Sequence, residues 1–392
     1  MELPKITHAF FNVTDECPLR CKYCFVNHQP NYMTYQVAKD AVDFLYANSQ
    51  NDGSDVDITF FGGEPLLMYE SIIKPIAKYV RDDLKINATL SITTNGVLLT
   101  DEIMQFMKDY KIGILFSIDG DKETQDFNRP MIDGSSSFDK IEKNIDKIIT
   151  LFPNTVFRST IVPQTCHLTW SNIQFAIDHG YKTFFTTPNV FEEWSETDKT
   201  ILANEIHKYS EYFVESYRNK KTPIILTSLE LVMKRIKDIN RTAKYDQYRT
   251  TYYCQACGKC GLGTSISCSI STDGKIYACQ EITSNYSTDS IFYIGSIYDG
   301  VDDNKRQILM DSYDPTKVTG LNCADCKYNR ICDGGCVANN YMINGDIHIN
   351  PKMYCWWRQL LLSEAEWIIQ TLGEEHNEMF RDYWTVINRD KR

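Results

Sequence analysis

Nothing in this chain approaches the roughly 18 consecutive apolar residues that a membrane-spanning helix needs. The start, Met1-Glu2-Leu3-Pro4-Lys5, has neither the basic segment nor the apolar core of a secretion signal. These absences predict a cytoplasmic protein with no membrane partner, and such a chain keeps its thiols reduced. Excess positive charge is also missing. Lys and Arg total 41 against 52 Asp and Glu, a net charge of −11, which argues against a nucleic-acid partner. There is no repeat of fixed period and no low-complexity stretch, which sets aside repeat architectures. With 43% hydrophobic residues in 392, the chain has ample material for one large domain and a smaller one.

Cysteine is plentiful, with 14 in the chain. Cys17, Cys21 and Cys24 form a C-x3-C-x2-C loop near the N-terminus. Cys323-x2-Cys326-x5-Cys332-x3-Cys336 lies near the C-terminus, followed by Cys355 and preceded by Cys254, Cys260 and Cys279. Reduced thiols at such spacing suggest metal rather than disulfides, and more than one centre. Packing as buried free thiols imposes no such spacing, and it is the expectation only for Cys166, Cys257 and Cys268. Three thiolates within eight residues can bind three corners of a cubane cluster and leave the fourth iron open. A zinc ion held by three cysteines and water is the alternative.

Strand-like and helix-like stretches alternate from residue 5 to about 217. Strands are expected over 6–13, 56–61, 88–93, 112–118, 156–162 and 183–187, and helices over 34–46, 71–80, 101–110, 138–151 and 197–217. In the fourth helix Phe138, Ile141, Ile145 and Ile148 share one face, with Lys140, Lys143 and Lys147 turned away. Six such units predict an α/β fold with parallel strands, curled into a barrel or partial barrel. The cysteine loop, Gly62-Gly63-Glu64-Pro65, Thr94-Asn95-Gly96 and Ser117-Ile118-Asp119-Gly120 all follow strand ends, on the face where such folds carry active sites. The barrel is assigned to 1–235. The second domain, 236–392, takes in the end of a bridging region (218–250, with a helix over 229–239), a glycine-rich cysteine segment and a helix over 356–372. The cysteine segment has too few apolar periods for its own core, so clusters would supply its cross-links. His8 and the pair Glu192-Glu193 are read as structural or solvated.

The first cysteine loop resembles the signature of the radical SAM superfamily, whose C-x3-C-x2-C follows the first strand of a partial (β/α)6 TIM-like barrel. Tyr23 sits where that family commonly has an aromatic, and the Gly-Gly-Glu-Pro, Thr-Asn-Gly and Ser-Ile-Asp-Gly elements follow in family order. The resemblance implies a [4Fe–4S] cluster on Cys17, Cys21 and Cys24 whose free iron chelates S-adenosylmethionine. One electron then splits the sulfur–C5′ bond, and a 5′-deoxyadenosyl radical takes a hydrogen atom from substrate. It further implies cofactor contacts at Tyr23, Gly62, Gly63, Glu64, Asn95, Ser117 and Arg158. Gly62, Gly63 and Glu64 would hold the methionyl ammonium, and Ser117 and Arg158 its carboxylate. Arg129 is a further candidate for cofactor or substrate.

The second group, from Cys260 to Cys355, resembles the SPASM domain of the same superfamily, which places two auxiliary [4Fe–4S] clusters here. Cys323, Cys326, Cys332 and Cys355 would hold one, and Cys260, Cys279 and Cys336 the other. Cys254 completes the second set, because sulfatase-maturing relatives have a cysteine six residues before the first of the motif; Cys257 is its rival. Structural zinc would tolerate the same spacing.

SPASM enzymes mostly modify ribosomally made peptides, in reactions that remove electrons from substrate. The leading expectation is a maturase that crosslinks a cysteine sulfur to a carbon in such a peptide. Formation of formylglycine is the first alternative. Its family carries an Asp after the cysteine of the G-x4-C element, and here Gln280 stands there. Glu281, on an extended segment, would face the other way. A non-catalytic iron–sulfur or zinc protein is the second alternative. A one-electron reductant such as flavodoxin or ferredoxin is implied. Since the chain begins at the first strand, either a separate leader-peptide-binding protein or binding of the peptide in the cleft between barrel and SPASM domain is expected.

Overall fold

The computed structural model describes residues 3–52, 55–241, 262, 266–285, 287–314, 317–329, 331–332 and 334–387. The strands are β1 (His8–Thr14), β2 (Asp57–Gly62), β3 (Thr89–Thr94), β4 (Ile112–Ser117), β5 (Phe157–Ile161), β6 (Thr183–Pro188), β7 (Ile225–Leu226), β8 (Ser267–Ile270), β9 (Lys275–Tyr277), β10 (Tyr293–Ser296) and β11 (Gly300–Val301). They form one 11-stranded sheet in the order β11-β10-β9-β8-β1-β2-β3-β4-β5-β6-β7. From β8 through β1 to β7 every pairing is parallel, and β9, β10 and β11 add on antiparallel.

The helices are α1 (Tyr35–Asp52), α2 (Lys74–Lys78), α3 (Asp101–Asp109), α4 (Lys122–Asn128), α5 (Phe138–Leu151), α6 (Thr169–Asp178), α7 (Glu196–Arg218), α8 (Thr227–Arg241), α9 (Asp303–Ser312), α10 (Val337–Asn344), α11 (Lys352–Glu374) and α12 (Glu378–Val386). Every expected strand and helix has a counterpart, most with ends shifted by a few residues and Phe138–Leu151 with none. The Ser71–Val80 helix is α-helical only at α2, with π-helical turns at Tyr69–Ile73 and Tyr79–Asp83. Among the described residues, no helix is long and apolar enough to cross a membrane.

Strand sequences alternate as a two-sided parallel sheet requires. Phe11, Ile58, Phe60, Leu90, Ile92, Phe116, Phe157 and Phe184 are buried under the helices. The opposite face carries Phe10, Thr59, Ser91, Ser117, Arg158 and Phe185, all half-buried. Its register runs Phe10 beside Thr59, Thr59 beside Ser91, and Ser117 beside Arg158 beside Phe185. This mixed polar face is the inner wall of the partial barrel.

The parallel part is wider than the six expected strands. β7 has two residues and β8 four, too short to show a period. β8 pairs with β1 along His8, Ala9, Phe10 and Phe11, so the cysteine-rich half joins the barrel's own sheet. Its Cys268, Ile270, Ile276, Phe292 and Ile294 lie in the barrel's hydrophobic core. α4 and α6 were not expected. α4 reads Lys-Glu-Thr-Gln-Asp-Phe-Asn, without apolar spacing, and starts because Asp121 accepts the Thr124 N–H at 3.1 Å.

Candidate active site at the C-terminal ends of the parallel strands

The chain leaves β1 through a fixed turn into the cysteine loop. Buried Asp15 takes Asn12 Nδ2 and Asn31 Nδ2 on its two oxygens, each at 2.8 Å. The loop is then stitched to residues 128–132. Arg20 N–H donates to the Pro130 carbonyl at 2.9 Å, Lys22 N–H to Asn128 at 3.0 Å, and Ile132 N–H to Pro18 at 2.8 Å. Cys17, Cys21 and Cys24 consequently stand within electrostatic reach of one another. Burial, with the nearby Glu64 carboxylate second, pushes the Cys17 thiol up to about 12. Burial likewise pushes Cys21 up to about 12, and raises Cys24. In protein alone these groups stay neutral; a soft cation would ionise them. Three adjacent thiols, Cys17 and Cys21 half-buried and Cys24 exposed, are a donor set that fits an iron–sulfur cluster.

Gly62 and Gly63 permit the close approach that shapes this corner. Gly62 has φ +131°, and a Cβ there would meet the Thr14 carbonyl oxygen at 2.2 Å. A Cβ on Gly63 would meet the Glu16 oxygen at 2.2 Å. Gly63 and Glu64 N–H groups donate to Thr14 and Glu16 carbonyls, both at 2.8 Å. Glu64 is fully buried. Its Oε1 accepts from Thr94 Oγ1 at 2.7 Å and from the Leu66 N–H at 3.1 Å; its Oε2 accepts the Asn95 N–H at 2.9 Å. Burial nonetheless raises its carboxyl to about 7. Both Glu64 oxygens are thus committed to the protein, where they tie β2 to the turn after β3. That turn in turn reaches the cysteine loop, because Asn95 Nδ2 donates to Cys17 Sγ at 3.5 Å.

The third anchor is a buried network that the motifs alone did not disclose. Asp119, fully buried after β4, accepts the Tyr23 O–H at 2.6 Å and Asn128 Nδ2 at 3.0 Å on Oδ2. Its Oδ1 accepts the Thr160 N–H at 3.0 Å and faces Arg129 Nε at 3.0 Å. The Arg129 guanidinium lies over the Tyr23 ring at 5.2 Å. Tyr23 and Arg129, read as ligand contacts, are therefore engaged with each other and with Asp119. Ser117 and Arg158 stand side by side in register on the half-buried inner face of the sheet. The Arg158 guanidinium lies over the Phe185 ring at 4.6 Å and donates to the Ser159 carbonyl.

In the C-terminal half, Cys323, Cys326, Cys332 and Cys355 stand within electrostatic reach of one another, and burial pushes Cys355 up to about 11. Gln359 Nε2, on α11, donates to Cys326 Sγ at 3.6 Å. Cys336 precedes α10, and Cys279 is buried after β9. Cys254, Cys257 and Cys260 lie outside the described residues. Among the described residues, no three His, Cys, Asp or Glu side chains converge as the ligands of one isolated ion do.

The chain after Cys279 corrects one expectation. Residues 280–285 form turns, not an extended segment. Asn285 Nδ2 donates to the Phe25 carbonyl, one residue past the cysteine loop. Glu281 is half-buried within electrostatic reach of Arg158, and burial raises its carboxyl. The strand argument that turned Glu281 away from the site does not hold. The extended period does not apply to a turn.

Residues 11–167 match the model of the Radical SAM superfamily. Those residues form a radical SAM domain, two fifths of the chain. The chain is 36% identical over 132 residues to an uncharacterised protein of Methanocaldococcus jannaschii, a match covering 33% of this chain and 44% of that protein. The chain therefore spans less than half the length of that relative. It is 24% identical over 352 residues to a cysteine-type anaerobic sulfatase-maturating enzyme of Clostridium perfringens strain 13, covering 85% of this chain and 89% of that enzyme. The fold is also that of a solved structure described as native anSMEcpe with bound AdoMet and Cp18Cys peptide, at TM-score 0.72 and 18% identity, over 95% of this chain and 99% of that one.

Proposed function

We propose that this chain is a radical SAM enzyme of the SPASM type, a maturase that joins a cysteine sulfur to a carbon within a ribosomally made peptide. The observation that carries a peptide substrate is the rim beside the cysteine loop. Phe127 and Ile132 are 37% and 61% exposed there, and Phe191, 48% exposed, adjoins Glu192, whose carboxylate acts on Lys22 of the loop. Ile132 is bonded to the loop through Pro18, and Lys22 Nζ of the loop lies 2.9 Å from the centre of the Phe127 ring. An apolar rim outside a polar hollow suits an extended chain that feeds one side chain inward. The near-full-length likeness to a sulfatase-maturating enzyme supports a peptide or protein substrate of this kind.

When bound, a [4Fe–4S] cluster with S-adenosylmethionine supplies a 5′-deoxyadenosyl radical. Cys17, Cys21 and Cys24 would hold that cluster. Ser117 and Arg158 stand on the inner face of the sheet where the cofactor carboxylate would lie, and Gly62, Gly63, Glu64, Asn95 and Tyr23 would shape the walls of its site. Cys323, Cys326, Cys332 and Cys355 would hold one auxiliary cluster, and Cys254, Cys260, Cys279 and Cys336 the other. Forming the bond removes two hydrogens from the peptide. One would leave as a hydrogen atom to the radical; the other would leave as a proton to solvent and an electron, which the auxiliary clusters would accept. A flavodoxin or ferredoxin would supply the initiating electron, and a separate protein would bind the leader. The test is mass spectrometry of the short peptide encoded beside the gene after co-expression. A loss of two hydrogens mapped to a sulfur–carbon bond is expected. A loss that leaves every thiol free would reject the thioether.

Glu281 gives a second reading its footing. A carboxylate near Arg158 could serve formylglycine formation despite Gln280. A C-x-P-x-R peptide that acquires an aldehyde would establish it.

A further inference from the structure

The Asn95 carboxamide has one orientation available. Its Oδ1 accepts the Val97 N–H at 3.1 Å, which leaves Nδ2 to face Cys17 Sγ at 3.5 Å. A flipped amide would set two donors together at Val97 and lose the contact to sulfur. The backbone around it is equally fixed. Glu64 takes the Asn95 N–H at 2.9 Å and the Thr94 hydroxyl at 2.7 Å. Gly96 follows at φ +78°, where a Cβ would strike the Phe116 ring at 2.4 Å. Asn95 itself is only 6% exposed. Cys17 Sγ also accepts the Leu19 N–H at 3.5 Å.

We infer that Asn95 sets the reduction potential of the cluster held by Cys17, through its N–H donor to that sulfur. The inference rests on reading the loop as a radical SAM cluster site. Reduction adds negative charge to the cluster and its thiolates. A fixed N–H donor stabilises that added charge more than the oxidised state, and so raises the potential. Glu64 acts at one remove, as a positioning residue that aims the Asn95 turn.

The test uses the full chain, reconstituted anaerobically, with the potential of each cluster followed by EPR during redox titration without S-adenosylmethionine. The first cluster is the signal lost in Cys17→Ala. In Asn95→Leu, iron content should match the wild type. The reduced-to-oxidised ratio at the wild-type midpoint should fall about tenfold, which is about 59 mV for one electron. Should Asn95→Leu not retain the cluster, Asn95→Ser, whose hydroxyl is too short to reach the sulfur, should show the same fall. An unchanged midpoint without S-adenosylmethionine, with only its binding weakened, would overturn the inference and leave Asn95 a cofactor contact. If no signal depends on Cys17, the cluster reading of the loop fails instead.

Discussion

Asp119 and Arg129 face each other at 3.0 Å beneath the cysteine loop, with Asp119 fully buried and Arg129 only 7% exposed. Tyr23 closes the arrangement from the loop side through its hydroxyl. β4, the segment after α4 and the loop between two cysteines are thereby held as one unit. These protein contacts fix the loop's shape.

Removing one member should be costly. Asp119→Ala leaves the Arg129 guanidinium buried without its counter-ion, and a loss of about 3–5 kcal/mol in unfolding free energy is expected. Tyr23→Phe removes a single hydrogen bond to a carboxylate and should cost about 2 kcal/mol. The two changes should be strongly non-additive in a double-mutant cycle measured by urea unfolding. Additive losses would mean that Tyr23 and Asp119 act separately.

Glu64 predicts a pH dependence. Its folded carboxyl titrates near 7, raised by burial from 4.5. The folded state therefore holds this proton more tightly than the unfolded chain. Its contribution to stability is complete below pH 4.5 and is lost as pH rises through 7. The loss should be about 3 kcal/mol across that window. Urea unfolding of the metal-free protein from pH 4.5 to pH 8 should show this slope relative to Glu64→Gln, which cannot titrate. Parallel curves for the two proteins would rule the assignment out.

The barrel was legible because its strands are long enough to alternate and its helices carry apolar stripes, as Phe138, Ile141, Ile145 and Ile148 do. That Cys17, Cys21 and Cys24, and Cys323, Cys326, Cys332 and Cys355, come together was legible because their spacing is a local property of sequence. What sequence could not supply was tertiary. β8 reaches β1 across more than 250 residues, so nothing local announces that the cysteine-rich half extends the barrel sheet. Asp119 stood inside a recognised motif, but its partners Tyr23 and Arg129 come from other segments. Glu281 was misjudged because a strand period was applied to residues that turn. Asn95 was read as a cofactor contact, and only the coordinates put its amide on a cysteine sulfur.

Cys17→Ala should separate the first cluster from the others. With three cubanes the protein should hold about twelve irons, and this variant about eight. Formation of 5′-deoxyadenosine with dithionite should cease. Iron analysis and product chromatography on anaerobic material check both. Unchanged cleavage in Cys17→Ala would remove the loop from the chemistry.

Gly320 offers a corresponding test in the C-terminal half. The segment is clamped where Asn350 N–H donates to the Thr319 carbonyl at 2.8 Å, which lays Gly320 directly on Cys355. A Cβ at Gly320 would fall 2.3 Å from Cys355 Sγ and 3.2 Å from Asn350 Cβ, so neither neighbour can yield without moving the thiol. Gly320→Ala should therefore behave like Cys355→Ala although it removes no ligand. Each should lower iron by about four per chain. Each should leave cleavage of S-adenosylmethionine largely intact, because Cys17, Cys21 and Cys24 are untouched, while conversion of the peptide fails for want of an electron acceptor. Full iron in Gly320→Ala would mean that Cys355 tolerates displacement, and full peptide conversion with iron lost would mean that this cluster takes no part in turnover.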